Sequence, residues 1–390
     1  MVWSRVKVED LGRVVTGKTP KTAEKDNYGG NIMFVTPSDD MDAKYIYSTG
    51  KTITEKGRDS VKGAIIPAGT ICVSCIGSDL GKVVITTEEC VTNQQINSII
   101  VDTANYDIDF VYYSMLILGK ELNFHSKTST AVPIVNKSRF SSYEISCPTI
   151  AEQKRIAGIL TAIDSKIEKN GKINDNLYEQ LTSYYKQLFA GITSTTSVGE
   201  IADNIFSGGT PSTANEAYWN GEHYWLSSGE TSNRFIVSTI KTITDEGITN
   251  SSTRKADKYD IAIASAGQGH TRGQTSMLLT ETYVNQSIIV VHANGDYLPF
   301  LFWNIANRYE ELRVISNSNS IRGSLTTKMI SSLSIPKADT EQIKQFSNLA
   351  WPIIKKIEIN LNENGRLSTM RDALLPKLMC GELDVSNLDI

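Results

Sequence analysis

A seam of mostly apolar residues, spaced alternately four and three apart, runs through residues 156–188 and returns 190 residues later. The first copy is Ile156, Leu160, Ile163, Ile167, Asn170, Asn174, Leu177, Leu181, Tyr184 and Leu188. The second is Phe346, Ala350, Ile353, Ile357, Asn360, Asn364, Leu367, Arg371, Leu374 and Leu378. Alternating steps of three and four are the coiled-coil signature. Both seams turn polar at the same two places, Asn170/Asn174 and Asn360/Asn364. Chance rarely reproduces a defect in register, so the chain is an internal duplication that must form two long helices in equivalent places.

The stretches before each helix repeat more faintly. Thr19-Pro20 returns as Thr210-Pro211, Tyr28-Gly29-Gly30 as Trp219-Asn220-Gly221, and Asn93-Gln94 as Asn285-Gln286. The chain therefore divides into a globular head (1–148), a helix (149–191), a second head (192–338), and a second helix with a tail (339–390). Each head reads as mixed α/β. In the first, 31–36, 70–76, 82–86 and 97–101 are β-branched runs bounded by turn residues, and 109–121 reads as a helix. In the second, 223–226, 261–265, 275–279 and 287–292 read as strands and 298–312 as one helix.

The first long helix is bounded by Thr149 as a cap and Gly191 as a stop. About 40 residues at ~1.5 Å each make it ~60 Å long. Lys154, Arg155, Lys166, Glu168, Lys169 and Lys172 leave one apolar stripe, and the simplest partner is the other copy. A two-fold relation between copies makes the helices antiparallel, with Asn170 facing Asn364 and Asn174 facing Asn360. Paired asparagines satisfy each other and fix register, or else mark a wet point in the seam. Pro352 and Pro376 predict a kink or interrupted turn at each.

With 40% apolar residues, a chain of 390 can bury two ordinary cores. The N-terminus lacks an apolar signal region, and five irregularly spaced cysteines suit a reducing, cytoplasmic setting. Net charge is −4, so composition does not announce a nucleic-acid binder, although charge averaged over a domain hides clustering.

Several motifs fail on context. Gly12–Thr19 reads GRVVTGKT, matching a P-loop. That loop needs a following helix to cradle phosphate, whereas here Pro20 and a polar run follow. A strand-to-loop turn explains it, or a DNA phosphate contact by Lys18 and Thr19, which needs only a donor and a charge. Cys72 and Cys75 sit three apart on a strand and point to opposite faces, so they read as core thiols. The four histidines show no ligand spacing, and no catalytic constellation or metal site emerges.

What remains is a set of polar loops in matching places. In the first head these are 36–40, 78–81 and 126–137, carrying Thr36, Ser38, Ser78, Lys127 and Lys137, with Arg139 just beyond. In the second they are 227–234, 268–273 and 316–328. They carry Arg234, then Gln268, His270 and Arg272, then Asn317, Asn319, Arg322 and Lys328. Such side chains can contact base edges or phosphates. Each alone reads first as a solvated loop residue; their duplication in matching places of two heads is what raises the functional reading.

This layout resembles the specificity subunit of type I restriction-modification systems along essentially the whole chain. The resemblance rests on TGKTP at 16–20, Glu152-Gln153 with Ile156-Ala157 opening the spacer, and LLPKLMCGEL at 374–383 echoed by QLFAG at 187–191. It implies an α+β fold: two duplicated mixed α/β target recognition domains joined by two long antiparallel coiled-coil helices with pseudo-two-fold symmetry. It further implies a non-catalytic subunit in which each domain reads half of an interrupted double-stranded DNA target. The helices would set the gap and dock two modification (methyltransferase) subunits, which recruit ATP-dependent restriction subunits. By that resemblance this chain holds no cofactor; S-adenosylmethionine, ATP and Mg2+ belong to the partners. Gly209 replaces the lysine in the second copy, and Arg155-Ile156 has no match after Glu341-Gln342. The competing readings are a pseudo-symmetric protein-binding scaffold without DNA specificity and an ATPase.

Overall fold

The structure is a computed structural model describing residues 3–127, 134–267, 269–317 and 323–385, without the side chains of Ser78, Ser126 and Lys127. It forms two compact bodies, 1–168 with 366–390 and 169–365, so each long helix contributes to both.

In the first body, Ile71–Ser74 is the middle of a five-stranded sheet. Its order is Gly12–Thr16, Ile96–Val101, Ile71–Ser74, Val83–Thr86 and Tyr45–Ile46. A second sheet orders Thr52–Ile53, Tyr28–Val35, Cys90–Thr92 and Ile65–Ile66. The middle strand is buried on both faces. Ile71 and Val73 join the cluster under helix Ile108–Lys127, whereas Cys72 packs with Val15, Met33 and Val35. The period-two pleat thus sends Cys72 and Cys75 into different cores, as their spacing predicts. Burial raises the Cys72 thiol to about 12 and the Cys75 thiol to about 11. Such thiols are inert at neutral pH.

The second body repeats this strand for strand. Its five-stranded sheet orders Asn204–Ser207, Ile288–His292, Ile261–Ala264, Thr275–Leu278 and Phe235–Ile236. Its four-stranded sheet orders Lys241–Ile243, Trp219–Leu226, Thr282–Val284 and Arg254–Ala256. Even the irregularities recur. The pairing of Tyr28–Val35 with Thr52–Ile53 shifts register between Tyr28 and Ile32, and the matching pair shifts between Trp219 and His223. That bulge explains the YGG/WNG repeat. Gly29 and Asn220 both take positive φ, 82° and 63°, which only glycine and asparagine visit readily. A Cβ on Gly30 or Gly221 would lie 2.4 Å from the Ile53 carbonyl oxygen or 2.5 Å from that of Ile243.

One expected helix divides. The segment read as 298–312 forms Leu298–Ala306 and Tyr309–Asn317. Asn307 Nδ2 donates to the Trp303 carbonyl (2.6 Å), a local bond that competes with helix continuation.

The long helices are Ile150–Phe189 and Thr340–Met379. Thr149 Oγ1 accepts the Glu152 N–H, and Asp339 Oδ1 accepts that of Gln342 (2.7 Å), so both starts are capped. In the first body Ile156, Ala157 and Leu160 share one core with Leu375, Leu378 and Met379. In the second, Tyr178, Leu181, Tyr185 and Phe189 share one with Ile343, Phe346, Ala350 and Ile354. The apolar face is therefore wider than the seam alone: Tyr178, Tyr185 and Phe189 lie off it and are buried with their head. Of the seam positions, Ile156, Leu160, Ile163, Asn170, Ile357 and Asn360 are buried, while Ile167, Asn174, Leu177, Ile353, Asn364 and Leu367 are half-buried. The second helix runs on through Pro352 and Pro376, so neither proline interrupts it. Both prolines are exposed, as are Asn348 and Asp372, whose carbonyls lose a donor, so water can replace it.

The polar level of the seam is antiparallel, as expected. Asn170 Nδ2 donates to Asn364 Oδ1 (2.8 Å) and Asn360 Nδ2 to Asn174 Oδ1 (2.7 Å), so both pairs of residue numbers sum to 534. Asn170 also donates to Glu363 (2.8 Å). Replacing Asn360 by Leu should leave Asn174 facing an apolar partner and cost about 1–3 kcal/mol. Changing Asn174 and Asn360 together to Leu should restore most of it, as measured by denaturant midpoints. Equal losses in single and double variants would show that the pair is not the unit.

Candidate nucleic-acid interface

An Asn-Gln turn ties together the loops of each head. In the first, Asn93 Oδ1 accepts the Gln95 N–H (3.0 Å) and the Asn93 N–H donates to the Val35 carbonyl (2.9 Å). Cys75 N–H donates to the Gln95 carbonyl (2.8 Å), Val135 N–H to that of Cys75 (2.9 Å) and Lys18 N–H to that of Thr92 (2.8 Å). The segments entering the loops at 36–40 and 78–81, the one leaving the loop at 126–137, and the TGKTP turn therefore meet at one place.

The second head repeats this bond for bond. Asn285 Oδ1 accepts the Ser287 N–H (3.0 Å) and the Asn285 N–H donates to Leu226 (3.1 Å). Ser265 N–H donates to Ser287 (2.8 Å), Leu325 N–H to Ser265 (2.9 Å) and Gly209 N–H to Val284 (3.1 Å). In both heads a threonine hydroxyl then bonds the glutamine side chain: Thr19 to Gln94 and Thr210 to Gln286. Three loop groups separated in sequence are thus gathered twice, on equivalent scaffolds.

The P-loop pattern dissolves here. Gly17 N–H donates to Ile96 (3.0 Å) and Lys18 N–H to Thr92, so these donors are spent within the protein. No α-helix follows until Glu55.

In the first head the candidates differ in how free they are. Lys18, Lys137 and Arg139 are exposed, the last two on the short helix Lys137–Ser142 capped by Asn136. Thr36 bonds Asp39 Oδ2 through both its N–H (2.7 Å) and its hydroxyl (2.9 Å), and that hydroxyl also meets Ser38 Oγ (2.8 Å). These two residues shape their loop. Glu230 does the same job for Ser227 in the second head (3.1 and 2.9 Å). The Ser78 and Lys127 side chains lie outside the described residues.

In the second head, Arg272 and Asn317 come together. The Arg272 guanidinium donates to Asn317 Oδ1 and to the Gly323 carbonyl (2.9 Å), tying the 269–273 loop to helix Tyr309–Asn317 and to the chain beyond it. Arg313 and Tyr309 reinforce that loop through the carbonyls of Gly269 and His270 (both 2.7 Å). The His270 side chain is exposed, as is Lys328 on Thr327–Ser331. Arg234 is placed elsewhere. It pairs with Asp175 (3.2 Å) and covers the Tyr178 ring (4.5 Å), so it seats the head on the long helix. Lys44, before the matching strand, bonds Asp109 and Thr161 (both 2.8 Å). Gln268, Asn319 and Arg322 lie outside the described residues.

Sequence reading missed Gln94 and Gln286 as site residues, although the Asn-Gln repeat was visible. It also missed a cluster in which Asp257, Asp260 and His292 bring three ligand atoms within 4.8 Å. His292 Nδ1 to Asp260 Oδ1 (2.6 Å) and Asp257 N–H to Asp260 Oδ2 (2.9 Å) close that cluster internally. Among the described residues no helix is long and apolar enough to cross a membrane.

The sequence pattern of the type I restriction modification DNA specificity domain matches twice, at residues 2–179 and 194–363. The chain is 24% identical over 412 aligned positions to the type I restriction enzyme MjaIX specificity subunit of Methanocaldococcus jannaschii, covering 99% of this chain and 94% of that one. It is 32% identical over 179 positions to the HindI specificity subunit of Haemophilus influenzae, covering 44% of this chain and 39% of that one. The crystal structure of the type I restriction-modification S subunit from M. genitalium superposes with a TM-score of 0.57 at 17% identity, covering 98% of this chain and 97% of that chain.

Proposed function

Since this chain belongs to the type I restriction modification DNA specificity family, we propose that each head reads one half of an interrupted double-stranded DNA sequence. The long helices hold the two readers at a fixed gap and dock two modification (methyltransferase) subunits, through which restriction subunits join. A specificity subunit recognises DNA sequence and leaves catalysis to partner subunits. S-adenosylmethionine, ATP and Mg2+ act in those partners.

The observation that carries this reading is the loop hub built twice with the same bonds. Two readers on equivalent scaffolds, each packed on a helix that continues into the other body, suit a target with two separated halves. The loops differ between heads while their anchors do not, as two different half-sites require. Sequencing the methylated genome of cells expressing the chain with its modification subunits tests it: a bipartite adenine-methylated motif should appear, and should vanish when this chain is deleted. A protein-binding scaffold would assemble the complex without conferring any motif.

Lys18 offers a finer check. It is exposed beside the first hub and its second-head counterpart is Gly209. Lys18→Ala should weaken binding of the complex equally on all DNA sequences. It should also flatten the log–log salt dependence by about 0.9, because a phosphate contact releases a counterion and reads no base. A variant that instead relaxed one motif position would place Lys18 on a base edge.

A further inference from the structure

Gln94 and Gln286 occupy the centre of the two loop hubs, and both are exposed. Neither contributes to a core. Each is nonetheless held from both sides. Its own backbone is fixed by the preceding asparagine, Asn93 or Asn285, which is buried and closes the turn. Its side-chain oxygen takes the hydroxyl of Thr19 or Thr210, and each threonine is pinned by a buried proline, Pro20 or Pro211.

Holding an exposed glutamine in one rotamer costs side-chain entropy. A solvent-exposed hydrogen bond between neutral side chains offsets that cost only in part, because water competes for the same groups. Stability does not account for such an arrangement being present twice. The result is chemical. With Oε1 accepting from the threonine, the Nε2 hydrogens are the donors this bond leaves over, on an exposed side chain beside the point where the loops of the head converge.

We infer that Gln94 and Gln286 are matched DNA-backbone clamps, each donating its amide hydrogens to a phosphate oxygen of its own half-site. This rests on the DNA-reading function proposed above. The heads differ at many loop residues around the hub, Lys18 against Gly209 and Thr36-Pro37-Ser38 against Ser227-Ser228-Gly229 among them. They keep this pair. A side chain common to two readers cannot tell two different half-sites apart, so it suits what the half-sites share, which is the phosphodiester backbone. Backbone contacts of this kind set the register from which base-reading groups work.

The test uses the complex of the full chain with its modification subunits. Its probes are a synthetic duplex carrying the motif found by methylation sequencing and a duplex of the same composition with that motif scrambled. Gln94→Ala and Gln286→Ala should each reduce affinity about tenfold, by the same factor on both duplexes. The salt dependence should stay unchanged, since a neutral amide displaces no counterion, in contrast to Lys18→Ala. Gln94→Glu and Gln286→Glu should lose more, because a carboxylate then faces the phosphate. The methylated motif should not change in any variant. A motif altered at one position, affinity left intact in the double alanine variant, or a loss that tracks a lowered denaturation midpoint would each overturn the inference. A wild-type complex that binds both duplexes equally and marks no motif would overturn the DNA-reading function itself, which is a separate outcome.

Discussion

Replacing residues 1–148 by the corresponding head of another family member should exchange one half of the methylated motif and leave the other half as it was. The fold makes the graft feasible. Ser4–Lys7 pairs with Glu144–Cys147, Ser4 opposite Cys147, so the two ends of the head leave it side by side. The loop hub of the second head takes all its described bonds from residues 209–325, none of which is exchanged. The constraint is the shared core. Phe110, Phe140 and Ile145 lie in one cluster with Ile156, Leu160, Leu375, Leu378 and Met379. An incoming head that leaves a void under one of those leucines would lose about 2–5 kcal/mol at that position. The donor should therefore match that apolar face, and the hybrid's denaturation midpoint should be measured beside its methylated motif. A stable hybrid in which both halves of the motif changed would show that the heads read together.

The architecture was legible because it rests on periodicity and repetition. The two seams predicted the antiparallel asparagine pairs to the residue, since a 3.5 period fixes which positions meet once one polar level is matched. Cys72 and Cys75 were legible for the same reason, through the period of a strand. Aromatic packing was harder to see. Tyr178, Tyr185 and Phe189 sit off the seam, and their partners come from the head, in Phe300 and Trp303, as well as from Phe346 of the second helix. Asn307 splits a helix that apolar spacing reads as continuous, because a side-chain bond to the preceding turn outweighs propensity there. The site was legible as loops and not as side chains. Arg272 and Arg234 look alike in sequence as cations that could reach DNA. One clamps two loops and the other seats its head on a helix, and this depends on contacts between distant segments. Gln94 was legible as part of a repeat and not as a site residue, because an exposed glutamine is unremarkable until Thr19 is placed against it.

Adding one heptad to each long helix should lengthen the gap in the DNA target by about three base pairs and abolish recognition of the original spacing. The two bodies divide the first helix between Glu168 and Lys169 and the second between Gly365 and Arg366. These cuts fall at one level of the seam, since 168 with 366 and 169 with 365 preserve the sum set by the asparagine pairs. Seven residues span two turns at the coiled-coil period, so the seam stays in phase and Asn170 still meets Asn364. At ~1.5 Å per residue they add ~10.5 Å, against ~3.4 Å per base-pair step. The half-site sequences should be unchanged, because the insertions touch neither hub. Placement matters. Phe189, at the end of the first helix, is buried in the core of the second head, so residues added after Ala190 extend only the connection to Thr195–Ser197 and should leave the gap alone. Methylation sequencing of both variants reads the two gaps directly. An unchanged gap after the double heptad insertion would mean that something other than the helices sets the spacing.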